Sequence, residues 1–141
     1  MILPDVNVLL YAFIPDSRDH RAYRSWLSGV VNSGTEFGMS PRVLSSVIRI
    51  ATHSKIYVKP QEPRRAIAFA TALLRHPRCR TVQPGIRHWS IFCGLCETGR
   101  ITGNLVQDAW FAALAIEHGC EWVTADRDFG RFPGLRWRFP V

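Results

Sequence analysis

The sequence predicts an α/β fold with a mainly parallel sheet, and three observations support this prediction. Short apolar segments of strand length alternate with longer segments in which apolar residues recur at helical spacing. Proline, glycine and capping residues separate these segments, and no linker, repeat or low-complexity tract interrupts them. The 141 residues, 47% of them hydrophobic, suit one domain with a buried core. We therefore expect a single domain over residues 1–141.

The predicted elements alternate along the whole chain. Strands are expected at 1–4, 35–39, 79–82 and 120–124, with 135–139 as a short fifth strand at the sheet edge. Helices are expected at 6–13, 19–31, 41–53, 63–76, 85–96 and 104–118. Pro15 ends the first helix, and Ser40-Pro41 is a favourable start for the third. Gln107 follows Asn104 at capping-box spacing at the start of the sixth helix.

The cysteines and the absence of targeting signals predict a cytoplasmic protein. Cys93 and Cys96 form one Cys-x-x-Cys pair without the second pair that a zinc site needs, so structural or incidental thiols are favoured over zinc. Cys79 and Cys120 lie in apolar strand segments, where a reduced thiol packs as a small hydrophobe. No basic leader precedes Pro4, and polar residues interrupt every apolar run before it reaches membrane-spanning length.

The basic charge balance is compatible with a nucleic-acid partner. The formal net charge is +7, and 16 of the 18 basic residues are arginine, whose planar guanidinium binds phosphate with two hydrogen bonds. The arginines are scattered along the chain, so folding has to assemble any phosphate-binding patch. A solvated surface or genomic base composition explains the same balance equally well.

Three aspartates are placed to form a site at one sheet edge. Asp5 follows the first strand directly, and Asp126 lies just beyond the fourth. The carboxyl ends of parallel strands share an edge, where open α/β sheets build their sites. Asp108 lies in the first turn of the sixth helix among apolar neighbours, which puts it on the inward face. A carboxylate there needs a compensating cation, so the three acids predict an oxygen-ligand site for Mg²⁺ or Mn²⁺.

Each of these acids also has a simpler interpretation. Asp5 suits a helix N-cap, Asp126 a turn, and Asp108 a partner of the helix dipole. Asn7 and Thr124 suit an orienting role beside the acids, or equally an ordinary turn and strand end. The occurrence of all three acids at one sheet edge favours the metal site, where a cation lowers the pKa of a bound water and stabilises charge on a phosphate.

Three ordered motifs resemble the PIN-domain family. Asp5-Val6-Asn7 resembles the family's opening motif after the first strand, residues 107–115 its Asp-Ala helix, and residues 124–129 its closing Thr-x-Asp-x-Asp-Phe motif. Order, spacing and total length agree, so the resemblance covers nearly the whole chain. It implies a PIN-like α/β/α sandwich with a mainly parallel central sheet of four to five strands.

The resemblance also implies an activity, a cofactor and partners. PIN domains of this kind cleave RNA with Mg²⁺ or Mn²⁺, with Asp5, Asp108 and Asp126 as catalytic metal ligands and Asp128 as an auxiliary catalytic acid. A PIN domain of this length is similar to VapC-type toxins of type II toxin–antitoxin pairs, which a small antitoxin holds inactive and which are typically homodimers. Candidate antitoxin contacts, which core packing explains more readily, are Tyr23, Trp26, Tyr57 and Phe69.

One position departs from the family pattern. PIN domains commonly carry a glutamate on the third helix, and the start of that helix aligns Ser46 with it. We expect Ser46 on the pocket wall near Asp5, where it can hold a water or hydroxyl contact. Asp128 or Asp16 would restore the fourth carboxylate; otherwise metal binding is weak or catalysis is lost.

Competing functions remain at this point. The main alternative is a non-catalytic PIN-like module that binds RNA or protein, favoured by Ser46. A phosphatase of the haloacid-dehalogenase kind needs a second acid two residues after the first, where this chain has Asn7. A DNA nuclease related to flap endonucleases would be longer. No motif identifies the RNA, and the candidate phosphate contacts, which are also readable as solvated surface residues, are Arg49, Arg64, Arg65, Arg127 and Arg131.

Overall fold

The computed structural model describes all residues from Met1 to Val141 and confirms the α/β class. The strands are β1 (Ile2–Pro4), β2 (Phe37–Met39), β3 (Cys79–Thr81), β4 (Glu121–Val123) and β5 (Trp137–Arg138). The helices are α1 (Val6–Phe13), α2 (His20–Asn32), α3 (Pro41–Ala51), α4 (Pro63–Leu74), α5 (His88–Gly99) and α6 (Leu105–Glu117), and a 3-10 helix spans Arg127–Arg131. None of the helices has the length and apolar character needed to cross a membrane.

All strand pairings are parallel, and they form two hydrogen-bonded groups. The first group has the order β1-β4-β5, and the second pairs β2 with β3. The groups meet where β2 passes β1. The backbone approach at Gly38 is close: a Cβ added there would lie 2.9 Å from Val82 Cγ2 and 3.2 Å from the Ile2 carbonyl oxygen. Only glycine fits this close approach. The expected single sheet of four to five strands is therefore present as two parallel groups side by side.

The core lies between the strands and the helices that cover them. Trp122 of β4 is fully buried; its ring stacks on that of Phe111 on α6 at 5.5 Å and is tilted against that of Phe129 at 5.3 Å. Helix α6 is buried around most of its circumference, since Ala109 and every residue from 111 to 115 lie in the core. A helix that is apolar on nearly all sides is typical of the centre of a domain.

Core packing accounts for the four aromatic residues considered as antitoxin contacts. Tyr23 is buried, with its ring edge-on to that of Tyr11 at 5.1 Å. Phe69 stacks on Phe13 with ring centroids 4.6 Å apart. Trp26 and Tyr57 are partly buried and pack against the same core. These contacts agree with the simpler interpretation of all four residues.

Helix α5 starts three residues later than predicted, because tertiary hydrogen bonds hold the preceding loop. The backbone N–H groups of Gly85 and Arg87 donate to the Glu117 carboxylate over 2.8 and 3.0 Å. The helix therefore begins at His88. Its end is also later, since Gly99 is still helical and Arg100 ends the helix with φ 50°.

The capping box predicted at the start of α6 does not form. Asn104 has helical backbone angles and makes no side-chain cap. The Gln107 side chain instead accepts a hydrogen bond from Arg42 Nη2 over 2.7 Å. By contrast, the predicted cap of α3 is present, since Ser40 Oγ accepts from the Val43 N–H at 3.3 Å.

We expect Glu117→Ala to lower the free energy of unfolding by about 2 kcal/mol, because hydrogen bonds from two backbone N–H groups to a carboxylate are lost. Urea denaturation at pH 7 measures the change. The control is Glu121→Ala, which removes only an exposed ion pair with Arg138 and should cost less than about 1 kcal/mol. Equal losses in the two variants would contradict a special role for Glu117.

Candidate active site

A pocket of about 540 Å³ lies at the carboxyl ends of β1 and β4, between α1, α3, α6 and the 3-10 helix. Asp5, Asp108 and Asp126 all line it. These are the three aspartates that the sequence predicts at one edge of a parallel sheet. The parallel pairing of β1 with β4 brings the first and third of them together across a chain separation of more than a hundred residues.

Asp5 is the most constrained of the three acids. Its Oδ1 accepts from the Val6 N–H and its Oδ2 from the Thr124 hydroxyl, both over 2.6 Å. The residue is only 6% exposed. Burial raises the pKa of this carboxyl to about 6; the two hydrogen bonds oppose that rise, and the charges of Asp108 and Asp126 add to it. Asp5 is thus both the N-cap of α1 and a pocket acid.

Asp108 also has a raised pKa. The residue is half-buried in the first turn of α6. Burial is the largest cause of the rise, the charge of Asp126 adds to it, and the charge of Arg131 opposes it. Raised carboxyl pKa values are expected from repulsion between clustered acids. At Asp5 and Asp108, however, desolvation rather than repulsion is the main cause of the raised pKa.

Asp126 and Asp128 begin the 3-10 helix, but only Asp126 faces the pocket. Asp126 Oδ1 accepts from the Asp128 N–H at 2.9 Å, and the Asp126 N–H donates to Thr124 Oγ1 at 3.0 Å. Asp128 is exposed and lies outside the pocket lining, although its charge contributes to the raised pKa of Asp108. Its auxiliary catalytic role therefore stays a prediction. Asp16 lies in a separate pocket, so it does not restore the fourth carboxylate.

The three carboxylates share the pocket without forming a compact cluster of metal ligands. Asp5 is tied to Val6 and Thr124, and Asp126 is tied to the 3-10 helix. Like charges repel one another unless a cation lies between them.

The polar residues near the acids link the opening and closing motifs. Thr124 donates to Asp5 and accepts from the Asp126 N–H, so one buried hydroxyl orients two of the acids. Asn7 Oδ1 accepts from the Ala125 N–H at 3.2 Å. Ser46 lies half-buried on the α3 wall of the pocket, as its alignment predicts.

Two arginines line the pocket, and sequence reasoning identified only one of them. Arg49 was among the predicted phosphate contacts, whereas Arg42 was not. The other predicted phosphate contacts lie outside the pocket lining; they are Arg64, Arg65, Arg127 and Arg131. The sequence nevertheless indicates that Arg42 lines the pocket. Arg42 stands four residues before Ser46, and residues four apart lie on the same face of a helix.

Comparison with known proteins decides the family. A family model described as PIN domain matches residues 2–135. The chain belongs to the PIN-domain family. Over 141 residues this PIN domain is 39% identical to ribonuclease VapC43 of Mycobacterium tuberculosis, covering 100% of this chain and 96% of that protein.

Solved structures agree with the fold of this PIN domain. VapBC2 from Rickettsia felis, bound to a DNA fragment from its promoter, matches with a TM-score of 0.71 and 20% identity, covering 99% of this chain and 98% of the other. A toxin–antitoxin complex from Klebsiella pneumoniae matches with a TM-score of 0.65 and 20% identity, covering 100% and 98%. At this identity the structures support the fold alone.

We expect the stability of this PIN domain, measured in EDTA, to fall as the pH rises from about 4 to about 6. Asp5 has a folded-state pKa of about 6 against an ordinary value of 3.8, so the folded chain keeps a proton that the unfolded chain has lost. The contribution of protonated Asp5 to the free energy of unfolding is complete below about pH 4 and is lost by about pH 6. The change is up to about 3 kcal/mol. Urea denaturation across this range should show a clearly smaller fall in Asp5→Asn than in the parent, because only the raised pKa of Asp108 still contributes there. Parallel profiles would contradict the assignment.

Proposed function

We propose that this PIN domain is a metal-dependent endoribonuclease and the toxin of a type II toxin–antitoxin pair. The main support for the proposal is the pocket at the carboxyl ends of two parallel strands, which Asp5, Asp108 and Asp126 all line. The full-length relative VapC43 is named a ribonuclease, which supports RNA as the substrate.

The donor set in the pocket fits a hard divalent cation. The lining offers carboxylate, amide and hydroxyl oxygens and contains no cysteine or histidine. Such oxygen ligands suit Mg²⁺ or Mn²⁺ rather than zinc. Asp5, Asp108 and Asp126 would hold the ion, which when bound lowers the pKa of water and stabilises charge on a phosphate.

The residues of the chain prepare this site in distinct ways. Thr124 and the Val6 N–H fix both oxygens of Asp5, and the Asp128 N–H fixes one oxygen of Asp126. Asp108 lies half-buried on α6 and approaches from another side of the pocket. Arg49 on α3 lines the same pocket, where its positive charge favours the approach of an RNA phosphate.

The proposal includes a small antitoxin, a second copy of the chain and a cytoplasmic location. The antitoxin partner is proposed by analogy with the toxin–antitoxin complex from Klebsiella pneumoniae, which shares the fold. All four cysteines are unpaired, which suits a reducing compartment. The homodimer is checked by light scattering coupled to size-exclusion chromatography, which should give twice the 16.1 kDa mass of one chain.

We expect the purified protein to cleave short single-stranded RNA in Mg²⁺ or Mn²⁺ and to stop in excess EDTA, because the metal-binding acids alone supply no Lewis acid. Gel analysis of a labelled random-sequence RNA measures cleavage, and DNA of the same sequence is the control.

The non-catalytic alternative is favoured by Ser46, which leaves the α3 wall without a carboxylate. RNA binding without cleavage under every metal condition would support that alternative instead.

A further inference from the structure

Arg42 is held at the pocket from two sides. Its Cζ lies 4.2 Å from the centroid of the Trp110 ring, over the ring face. Its Nη2 donates to Gln107 Oε1 over 2.7 Å. Arg42 lies in the first turn of α3, whereas Gln107 and Trp110 lie on α6, so the guanidinium spans the gap between the two helices that wall the pocket.

The ring under Arg42 is itself fixed. His88 is only 3% exposed, its ring meets the Trp110 ring edge-on at 4.7 Å, and its Nε2 is hydrogen-bonded to the Trp110 carbonyl oxygen at 3.0 Å. A guanidinium stacked on a braced ring has already lost much of its rotamer freedom. Binding an anion then costs less ordering entropy than it would for a mobile side chain.

The positive charge of Arg42 is not neutralised within the chain. Its two fixed contacts are to a neutral ring and a neutral amide, and it forms no ion pair, although three aspartates line the same pocket. A guanidinium has five N–H donors, of which Gln107 takes one. Several donors and a full charge therefore remain for an anionic ligand.

Building on the ribonuclease function proposed above, we propose that Arg42 binds an RNA phosphate beside the scissile bond, with Trp110 and Gln107 as positioning residues. RNA approaching this pocket meets three aspartates whose charge repels its backbone. Arg42 and Arg49 on the α3 wall offset that repulsion, and only Arg42 is oriented in advance. A planar guanidinium also matches two phosphate oxygens at once, which a lysine does not.

The test compares Arg42→Ala, Arg42→Lys and Gln107→Ala with Arg78→Ala, which removes an exposed arginine outside the pocket. The probe is a short random-sequence RNA with a fluorophore and a quencher, cleaved in Mn²⁺ over a series of salt concentrations. Arg42→Ala should raise KM by about 10- to 100-fold and reduce the slope of log KM against log salt by about 0.7. Arg42→Lys should keep the slope but raise KM, since charge remains while the planar fork is lost.

A comparison of KM in single and double variants tests whether Gln107 acts by positioning Arg42. Gln107→Ala should raise KM by roughly threefold in the parent and should have no further effect in the Arg42→Ala background, because it acts only through Arg42. Melting temperatures of all variants are measured alongside.

Two contrary outcomes are distinguishable. If Arg42→Ala lowers the melting temperature but matches Arg78→Ala in KM and salt slope, Arg42 merely links α3 to α6 and this inference is wrong, while the ribonuclease function stands. If the parent itself cleaves no RNA in Mn²⁺, the proposed function fails and this inference fails with it.

Discussion

Asp5→Asn and Asp126→Asn should each abolish RNA cleavage while leaving the fold intact. Each substitution keeps the side-chain volume and removes one negative charge from the pocket that both residues line. With one carboxylate fewer, the pocket would hold a divalent cation less well and would lose most of the activation of water that the cation supplies, so cleavage should fall by about three orders of magnitude or more. The N–H groups of Val6 and Asp128 now donate to Asp5 and Asp126. The amide oxygen of Asn can accept the same hydrogen bonds, so both helix caps persist.

The stability of these variants should hold or rise while their activity falls. In EDTA at pH 7, Asp5→Asn should melt at the same or a higher temperature than the parent, because a buried carboxylate with a pKa of about 6 no longer has to ionise. Asp16→Asn is the matched control, since Asp16 is exposed outside the pocket and its substitution should leave both quantities unchanged. Cleavage at the parent's rate by both pocket variants would rule out the proposed mechanism.

Ser46→Glu should strengthen Mn²⁺ binding by roughly 10- to 100-fold, because it adds a carboxylate to the α3 wall of the acidic pocket. It restores the residue type that PIN domains commonly carry at this position. Without metal the same substitution should lower the melting temperature, since a further negative charge joins Asp5, Asp108 and Asp126. Calorimetric titration with Mn²⁺ and melting in EDTA measure the two effects.

The control for Ser46→Glu is Ser28→Glu, which adds the same charge to an exposed position of α2 away from the acids. It should change neither Mn²⁺ affinity nor stability in EDTA appreciably. If Ser46→Glu leaves Mn²⁺ affinity at the parent's value, the α3 wall takes no part in holding the ion. The cation site would then be confined to Asp5, Asp108 and Asp126.

Local sequence signals predicted much of the fold and the acidic side of the site. Helix α1 has the predicted bounds, because Asp5 caps its start and Pro15 follows its end. Asp5 and Asp126 were predictable as neighbours, because acids that follow parallel strands meet at one edge. Ser46 was placed on the pocket wall by counting along α3 from its Ser-Pro start.

The pKa of Asp5 and the position of Arg42 depend on contacts between segments that are distant in the sequence. The bond from Thr124 to Asp5 joins residues 119 apart in sequence, and the bond from Arg42 to Gln107 joins residues 65 apart. Neither pairing follows from helix periodicity or strand alternation. The pKa of Asp5 is set mainly by burial, and burial is a property of the packed domain.

Local patterns along the chain were enough to predict the class of fold, the order of its elements and the three acids of the pocket. These depend on periodicity, capping and strand ends, which act within a few residues of chain. Three features became visible only in the folded domain: the strands form two parallel groups, α5 starts late because its preceding loop is bound to Glu117, and Arg42 lies over Trp110. Those features arise where side chains compete for hydrogen bonds and space across the fold, and there the contacts between distant segments outweigh local preference.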